Sequence, residues 1–158
     1  MTADQIAHDR VKQSFDRQGL LRVLGVELVR VQVGLVELRL PYSDAVTQQQ
    51  GGFHGGAMGA LADIAGGYAG LTVAPAGMEV TTVEYKVNFL AAFRDGELRA
   101  TGRVRFAAKA GGVKVGAAAD PRERAKEGRQ LAPSHRVVVA WQPMQFRSQM
   151  ERPNRARP

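Results

Sequence analysis

The sequence predicts an α+β domain in which one long central helix packs against a mostly antiparallel β-sheet. Runs with the two-residue apolar alternation of strands occur on both sides of residues 51–75. A stretch with helical spacing of long apolar residues lies between them, and "RDG" forms a hairpin-type turn between two of the later runs. The 158 residues suffice for one domain with a substantial core.

The first predicted elements are an amphipathic helix and a pair of strands. Residues 2–18 have helical periodicity. The positions predicted to be buried are Ile6, Val11 and Phe15. The run "LGVELVRVQVGLVELRLP" predicts two strands joined at Gly34, and in the second strand every second residue from Val36 is apolar.

Three more strands are predicted after the central helix. In "EVTTVEYKVNFLAAF" the residues predicted to share one face are Val83, Tyr85, Val87 and Phe89; in "ELRATGRVRF" they are Leu98, Ala100, Val104 and Phe106. "HRVVVAWQPMQF" is the third. Residues 107–133 are atypical because they are rich in Ala, Gly, Arg and Lys, and only "GGVKVGAAA" looks like a short strand. An insertion or an altered reading frame would each produce this composition. We predict one domain over residues 1–146 and a basic, disordered tail over residues 147–158.

Composition restricts the function classes. The chain has no cysteine, which excludes disulfides and cysteine-based metal or nucleophile sites. It has no apolar run of the roughly 20 residues that a membrane helix needs and no secretory signal at its start, so we expect a cytoplasmic protein. Residues 1–102 hold 9 Lys and Arg against 11 Asp and Glu, whereas residues 103–158 hold 13 against 4. The basic last third could bind nucleic acid, but a solvated tail is favoured, and no specific nucleic acid or membrane partner is expected.

The central stretch "GGFHGGAMGALADIAGGYAG" contains eight glycines, each of which costs about 1 kcal/mol relative to alanine within a helix. One stripe of this helix is predicted to cover the sheet: Leu61, Ile64, Tyr68 and Leu71. A second stripe consists of Gly56, Gly59, Asp63, Gly67 and Gly70. Glycine permits close backbone approach, so this stripe predicts a second packed face, against the same helix of another subunit.

Two features of the helix can act on a carbonyl group. "FHGG" places backbone N–H groups at the helix N-terminus, where they and the helix dipole stabilise an oxygen that gains negative charge. Asp63 lies about eight residues further on, or roughly 12 Å along the axis. Two antiparallel helices related by a two-fold axis would place the N-terminus of one beside Asp63 of the other. This predicts two equivalent sites between subunits.

The motif "QQQGGFHGG" followed by "LAD" resembles the hotdog-fold thioesterases, specifically the phenylacetic acid degradation (PaaI-like) branch. The matching positions are Gly51, His54, Gly55, Gly56, Leu61 and Asp63. "TTVEYKVNFL" and "GELRATGRV" resemble the paired strands of the family, so the resemblance covers about residues 20–106. The chain departs from the family at Gln48, where Asn is usual, and at "FLAAF", where Pro or Arg-Pro often follows the strand.

The resemblance implies a hotdog fold and hydrolysis of an aryl- or medium-chain acyl-CoA thioester to free acid and CoA. Asp63 would activate water or attack the carbonyl, and the amides of Gly55 and Gly56 would polarise that carbonyl from the partner subunit. His54 would shape the loop or hydrogen-bond near the thioester. The residues predicted to bind substrate are Gln48, Gly51, Asn88 and Arg94. The resemblance implies no metal or redox cofactor, and a homodimer or homotetramer with active sites between subunits.

Other function classes were weighed against this one. A non-catalytic acyl-CoA sensor stays open, although Asp63 favours an enzyme. A hotdog dehydratase is less favoured because the histidine lies in "FHGG". An α/β-hydrolase is disfavoured because no G-x-S-x-G occurs. Metal-dependent hydrolysis is disfavoured because the three histidines are far apart in sequence and none lies in H-E-x-x-H. Arg94, Arg103 and Arg105 could contact CoA phosphates or simply be solvated.

Overall fold

The computed structural model describes residues 1–87, 89, 94–107, 112–119 and 136–142. The elements follow the predicted order, with a short second helix and a 3₁₀ turn that the sequence did not indicate. In chain order they are α1 (Ala3–Arg17), α2 (Gly19–Leu24), β1 (Glu27–Gln32), β2 (Leu35–Pro41), the 3₁₀ turn (Asp44–Val46), α3 (Gly55–Val73), β3 (Glu79–Lys86), β4 (Glu97–Ala107), β5 (Gly112–Ala119) and β6 (Arg136–Gln142).

The described strands form one sheet in the order β1-β2-β4-β5-β6-β3, and every neighbouring pair is antiparallel. A long helix against an antiparallel sheet confirms the predicted α+β class. The prediction of a hairpin across "RDG" is wrong, because β3 pairs with β6 whereas β4 pairs with β2 and β5. The alternation predicted for β2 is also confirmed, because three alternate residues are fully buried: Val36, Leu38 and Leu40. The chain turns between β1 and β2 at Gly34, whose φ of 78° is in the left-handed region that glycine adopts readily.

The stripe of α3 that was predicted to cover the sheet faces the interior, and part of it packs against α1, where Tyr68 contacts Phe15 and Gln18. Leu61, Tyr68 and Leu71 are buried, and Ile64 is half-buried. The closest approach of helix to sheet lies at Gly102 of β4, where an added Cβ would be 2.0 Å from the carbonyl oxygen of Ala65. The absence of a side chain at this strand position therefore allows α3 to lie directly on β4.

Helix α1 begins with Thr2, whose side-chain oxygen accepts a hydrogen bond from the N–H of Gln5 at 3.2 Å. Its buried residues are Ala7 and Val11. The prediction that Ile6 is buried is wrong, since this side chain is 53% exposed. The buried face runs through Ala7, Val11 and Phe15, which are spaced by four residues, and Ile6 lies to one side of it.

Arg10 of α1 binds the chain segment that ends α3. Its guanidinium donates to the carbonyl oxygens of Ala74 at 2.6 Å and Pro75 at 3.2 Å, and also to that of Met78. These carbonyls lie just beyond the C-terminus of α3, where the helix dipole favours a cation. Arg10 therefore fixes α1 against the turn between α3 and β3.

Replacing Arg10 by Met is expected to lower the free energy of unfolding by about 2 kcal/mol, because hydrogen bonds from charged donors contribute about 1.5–3 kcal/mol. The control is Lys12→Met, which removes only an exposed ion pair with Asp16 and should change the value by about 0.5 kcal/mol or less. Urea unfolding followed by circular dichroism measures both. Equal losses in the two variants would show that apolar contacts alone hold α1.

Strand β3 is an edge strand with a bulge. Its pairing with β6 shifts register between Thr82 and Glu84, which leaves Val83 as the extra residue. Because the bulge shifts the alternation by one, Thr82 before it and Tyr85 after it both face α3. The continuous face predicted from Val83 to Phe89 is therefore interrupted, and the Val83 side chain is 66% exposed.

The atypical region contains one predicted element that the structure confirms. "GGVKVGAAA" includes β5, which pairs with β4 and β6. Residues 120–135 and the tail at 147–158 lie outside the described residues, so the domain boundary stays a prediction. In the part of the chain that the structure describes, no helix combines the length and apolar character needed to cross a membrane.

Candidate active site

The loop that leads into α3 is held by its own hydrogen bonds. The N–H of Gln48 donates to the carbonyl of Gly52 at 2.8 Å, and the N–H of Gly51 donates to the carbonyl of Gln48 at 2.9 Å. Gly51 has a φ of 78°, and its carbonyl accepts from the hydroxyl of Tyr42 at 2.6 Å. The side-chain oxygen of Gln48 accepts from the N–H of Gln50 at 3.1 Å. Gln48 and Gly51 thus shape the loop at the start of α3.

His54 is the N-cap of α3. Its Nδ1 accepts a hydrogen bond from the N–H of Gly56 at 2.8 Å, and its own N–H donates to the carbonyl of Val46 at 2.7 Å. The amide of Gly56 is therefore already bonded within the turn. Among the described residues, no acceptor for the N–H of Gly55 is found. Of the two amides named from the sequence, Gly55 is the one left to bind a ligand.

Two glycines of α3 face aromatic side chains of the same chain. A Cβ at Gly55 would lie 3.4 Å from the ring of Phe89, and a Cβ at Gly59 would lie 3.4 Å from the hydroxyl of Tyr85. Gly59 belongs to the glycine stripe, so at this position the neighbour is β3, where the sequence predicted a partner helix. Gly67 differs, because a Cβ there would meet no neighbouring atom of the described residues within 4 Å.

Asp63 is half-buried and faces β3. The hydroxyl of Thr82 donates to Oδ1 of Asp63 at 2.7 Å. This hydrogen bond fixes the orientation of the carboxylate. No other hydrogen bond to Asp63 is found among the described side chains, so its second oxygen is available to a water molecule or a substrate.

A cavity of about 380 Å³ opens beside Asp63, between α1, α3 and β3. Its described lining residues are Ser14, Gln18, Asp63, Ile64, Gly67, Tyr68, Leu71, Glu79, Val80, Thr81 and Thr82. This volume lies within the roughly 300–1,000 Å³ range of small-molecule sites. Most of the side chains that line the cavity are polar, and its apolar part consists of Ile64, Leu71 and Val80.

Tyr68 forms the polar wall of this cavity together with α1. Its hydroxyl accepts a hydrogen bond from Nε2 of Gln18 at 2.7 Å. Burial raises the pKa of Tyr68 above its ordinary value of 10.0, although the hydrogen bonds of Ser14 and Gln18 oppose that shift. The side chain is therefore a neutral phenol near pH 7.

The predicted site residues form two groups in the structure. His54, Gly55 and Gly56 lie at the start of α3, and Asp63 lies about 12 Å further along the same helix. Arg94 is exposed and is not a cavity-lining residue. Asn88 lies outside the described residues. Within one chain, the helix N-terminus and Asp63 do not meet at a single carbonyl group.

Sequence reasoning missed Thr82 and Gln18. Thr82 was missed because simple alternation placed Val83 and Tyr85 on the packed face of β3 and Thr82 on the other face. The bulge at Val83, which changes this alternation, cannot be recognised in the sequence. Gln18 was missed because it lies at the C-terminus of α1, where a polar residue is expected without any further role. For Thr82 a signal was present, since a hydroxyl side chain in an apolar strand often has a polar partner.

The sequence comparisons identify a family and a relative. Residues 50–113, which include all of α3, match the model of the thioesterase superfamily. A candidate esterase of Saccharolobus solfataricus is 34% identical over 85 residues, which cover 54% of this chain and 60% of that protein. The chain thus spans less than two thirds of the length of the curated relatives that it matches.

Solved structures show the same architecture. The crystal structure of a thioesterase family protein from Silicibacter pomeroyi has a TM-score of 0.69 and 28% identity, and the match covers 85% of this chain and 92% of that one. The PaaI protein from the phenylacetic acid degradation operon of E. coli has a TM-score of 0.65 and 17% identity, with 89% and 92% covered, and shows a shared fold.

Fold and site together define a hotdog-fold protein with an acidic residue on its central helix. Residues 50–113 are similar to the thioesterase superfamily, and the chain shares its fold with a thioesterase family protein. The hotdog fold that the resemblance over residues 20–106 implied is confirmed by this shared architecture, and the relatives are named esterase and thioesterase.

Proposed function

We propose that this chain hydrolyses an aryl- or medium-chain acyl-CoA thioester to the free acid and CoA. The observation that carries the proposal is Asp63, a carboxylate that Thr82 orients on the wall of a ligand-sized cavity. It lies on the helix whose N-terminus also offers the amide of Gly55, for which the described residues supply no acceptor. A base and an amide donor are the two groups that thioester hydrolysis requires.

In the proposed reaction, Asp63 takes a proton from a water molecule while the water oxygen attacks the carbonyl carbon. The carbonyl oxygen gains negative charge, which the N–H of Gly55 and the N-terminus of α3 stabilise. The carbon–sulfur bond then breaks, and CoA leaves as a thiolate that recovers the proton from Asp63. His54 acts as a positioning residue, because its bond to Gly56 fixes the turn that presents Gly55.

Two subunits supply the two groups in this proposal. β3 lies at the edge of the sheet and carries the half-exposed Tyr85, and the exposed Phe89 follows it. An unpaired edge with exposed aromatic side chains favours association with a second copy. Antiparallel pairing of two α3 helices would bring Gly55 of one subunit to Asp63 of the other. Gln48 and Gly51 shape the mouth of this site, and Asn88 and Arg94 are proposed contacts for CoA.

We also place the enzyme in the cytoplasm, since its proposed substrate is a coenzyme A thioester. The acyl class follows from the resemblance to the phenylacetic acid degradation branch together with the partly apolar cavity. The proposed location and the proposed acyl class both depend on the substrate, so the substrate is identified first.

The test is free-thiol release from acetyl-, hexanoyl-, octanoyl- and phenylacetyl-CoA. We expect a kcat/KM of at least about 10⁴ M⁻¹s⁻¹ for the best ester, the lower end of the usual enzymatic range. Binding of CoA esters without hydrolysis would replace the proposal by a sensor function. If the protein neither binds nor hydrolyses any of these esters, the acyl-CoA assignment is overturned.

A further inference from the structure

We infer that Gly67 sets the size of the acyl group, which passes over this residue in the cavity between α3 and β3. The inference rests on the proposed function, because it takes the cavity beside Asp63 as the acyl-binding groove. It names the substrate class as acyl groups that extend beyond Gly67, such as medium chains or an aryl ring.

The cavity follows one face of α3. Asp63, Gly67 and Leu71 are spaced by four residues and all line it, so the groove extends about 12 Å along the helix. β3 returns antiparallel to α3 after a short turn, with Thr82 beside Asp63 and Glu79 towards the Leu71 end. An acyl group bound with its carbonyl near Asp63 would therefore extend along α3 towards Leu71.

Gly67 provides open space at the middle of this groove. Among the residues that the structure describes, an added Cβ would meet no neighbour within 4 Å, whereas a Cβ at Gly59 would contact Tyr85 at 3.4 Å. Packing within the chain thus explains the glycine at position 59 and does not explain the one at 67. Because a glycine in a helix costs about 1 kcal/mol relative to alanine, room for a ligand is the physical reason that fits Gly67.

The position of Gly67 also determines which acyl groups a side chain at this position would affect. It lies four residues, or about 6 Å along the axis, from Asp63. The two carbons of an acetyl group end short of that distance, whereas an octanoyl chain or a phenylacetyl ring extends past it. Near the far end the walls are Leu71, the carboxylate Glu79 and, on the α1 side, the neutral pair of Tyr68 and Gln18.

The test is a graded series, Gly67→Ala and Gly67→Val, assayed for thiol release. For Gly67→Val, the octanoyl-to-acetyl ratio of kcat/KM is expected to fall by at least about tenfold, since one methylene in an apolar pocket changes specificity by about 10–200-fold. Gly67→Ala should give a smaller fall. The matched control is Ala60→Val, which adds bulk on the same helix outside the cavity lining and should leave the ratio unchanged.

Binding of the stable thioethers S-octyl-CoA and S-ethyl-CoA, measured by calorimetry, tests the same steric rule without chemistry. If the wild type binds these ligands but hydrolyses no ester, the proposed function fails, and the thioether affinities of Gly67→Val still decide the inference. If hydrolysis proceeds and the octanoyl-to-acetyl ratio is unchanged in Gly67→Val, the inference is overturned. A uniform loss on all esters with a changed sedimentation coefficient would also overturn it, because Gly67 would then pack against a second subunit.

Discussion

Replacing Asp63 by Asn is expected to lower kcat for acyl-CoA hydrolysis by at least about a hundredfold, the lower limit of what a general base contributes. Asn has nearly the same size, and its side-chain oxygen can still accept the hydrogen bond from Thr82. The substitution therefore removes the base and the negative charge while the local geometry persists. Thiol release under saturating ester measures kcat, and circular dichroism verifies that the variant is folded.

The matched control is Asp16→Asn, which neutralises an exposed carboxylate on α1 outside the cavity lining. It should leave kcat unchanged. Retention of activity within about threefold in Asp63→Asn would contradict the role of Asp63, because a general base contributes far more than that. Hydrolysis in water labelled with heavy oxygen separates the two chemical roles. Label in the Asp63 carboxylate would show direct attack, whereas label only in the released acid would show activation of water.

The central helix could be predicted from the residues because its signals are local. The apolar spacing of Leu61, Tyr68 and Leu71 identifies the buried stripe, and all three are buried. The motif ending at Asp63 places the acidic residue on that helix, as the structure does. The alternation from Val36 onward identified β2 for the same reason, because every second residue of a strand lies on the same face of the sheet.

Features that depend on other parts of the fold were not visible. The bulge at Val83 arises from pairing with β6, so simple alternation did not reveal that Thr82 and Tyr85 both face α3. The bond between His54 and the N–H of Gly56 depends on the side-chain orientation at one cap, which a glycine-rich motif does not specify. Likewise, Ile6 is apolar but lies beside the buried face of α1.

Gly102 is a second residue whose role only the packing reveals. In the sequence it is one glycine within an alternating strand, a position that usually weakens a sheet. In the structure an added Cβ would lie 2.0 Å from the carbonyl oxygen of Ala65 and 2.5 Å from its carbonyl carbon. These are backbone atoms of α3, so no side-chain rotation can relieve the overlap. The whole helix, or strand β4, would have to move.

Replacing Gly102 by Ala is therefore expected to lower the free energy of unfolding by about 3 kcal/mol, the upper part of the usual range for an overpacked core. For a chain of this size that corresponds to a melting temperature lower by about 6–12 °C. Differential scanning calorimetry measures it. The control is Gly67→Ala, which adds the same methyl group where no neighbour from the described part of the chain lies within 4 Å. Its stability should stay the same or rise, because alanine favours helix.

The same substitution should also reduce catalysis. Asp63 lies two residues before Ala65, so a shift of α3 away from β4 displaces the carboxylate relative to Thr82 on β3. We expect kcat to be lower than in the wild type even when it is measured well below the melting temperature of the variant. Small displacements of a positioned group are costly for catalysis. If the free energy of unfolding of Gly102→Ala equals that of the wild type, α3 does not contact β4 at this position. A large loss of stability with unchanged kcat would instead show that the position of Asp63 is independent of this contact.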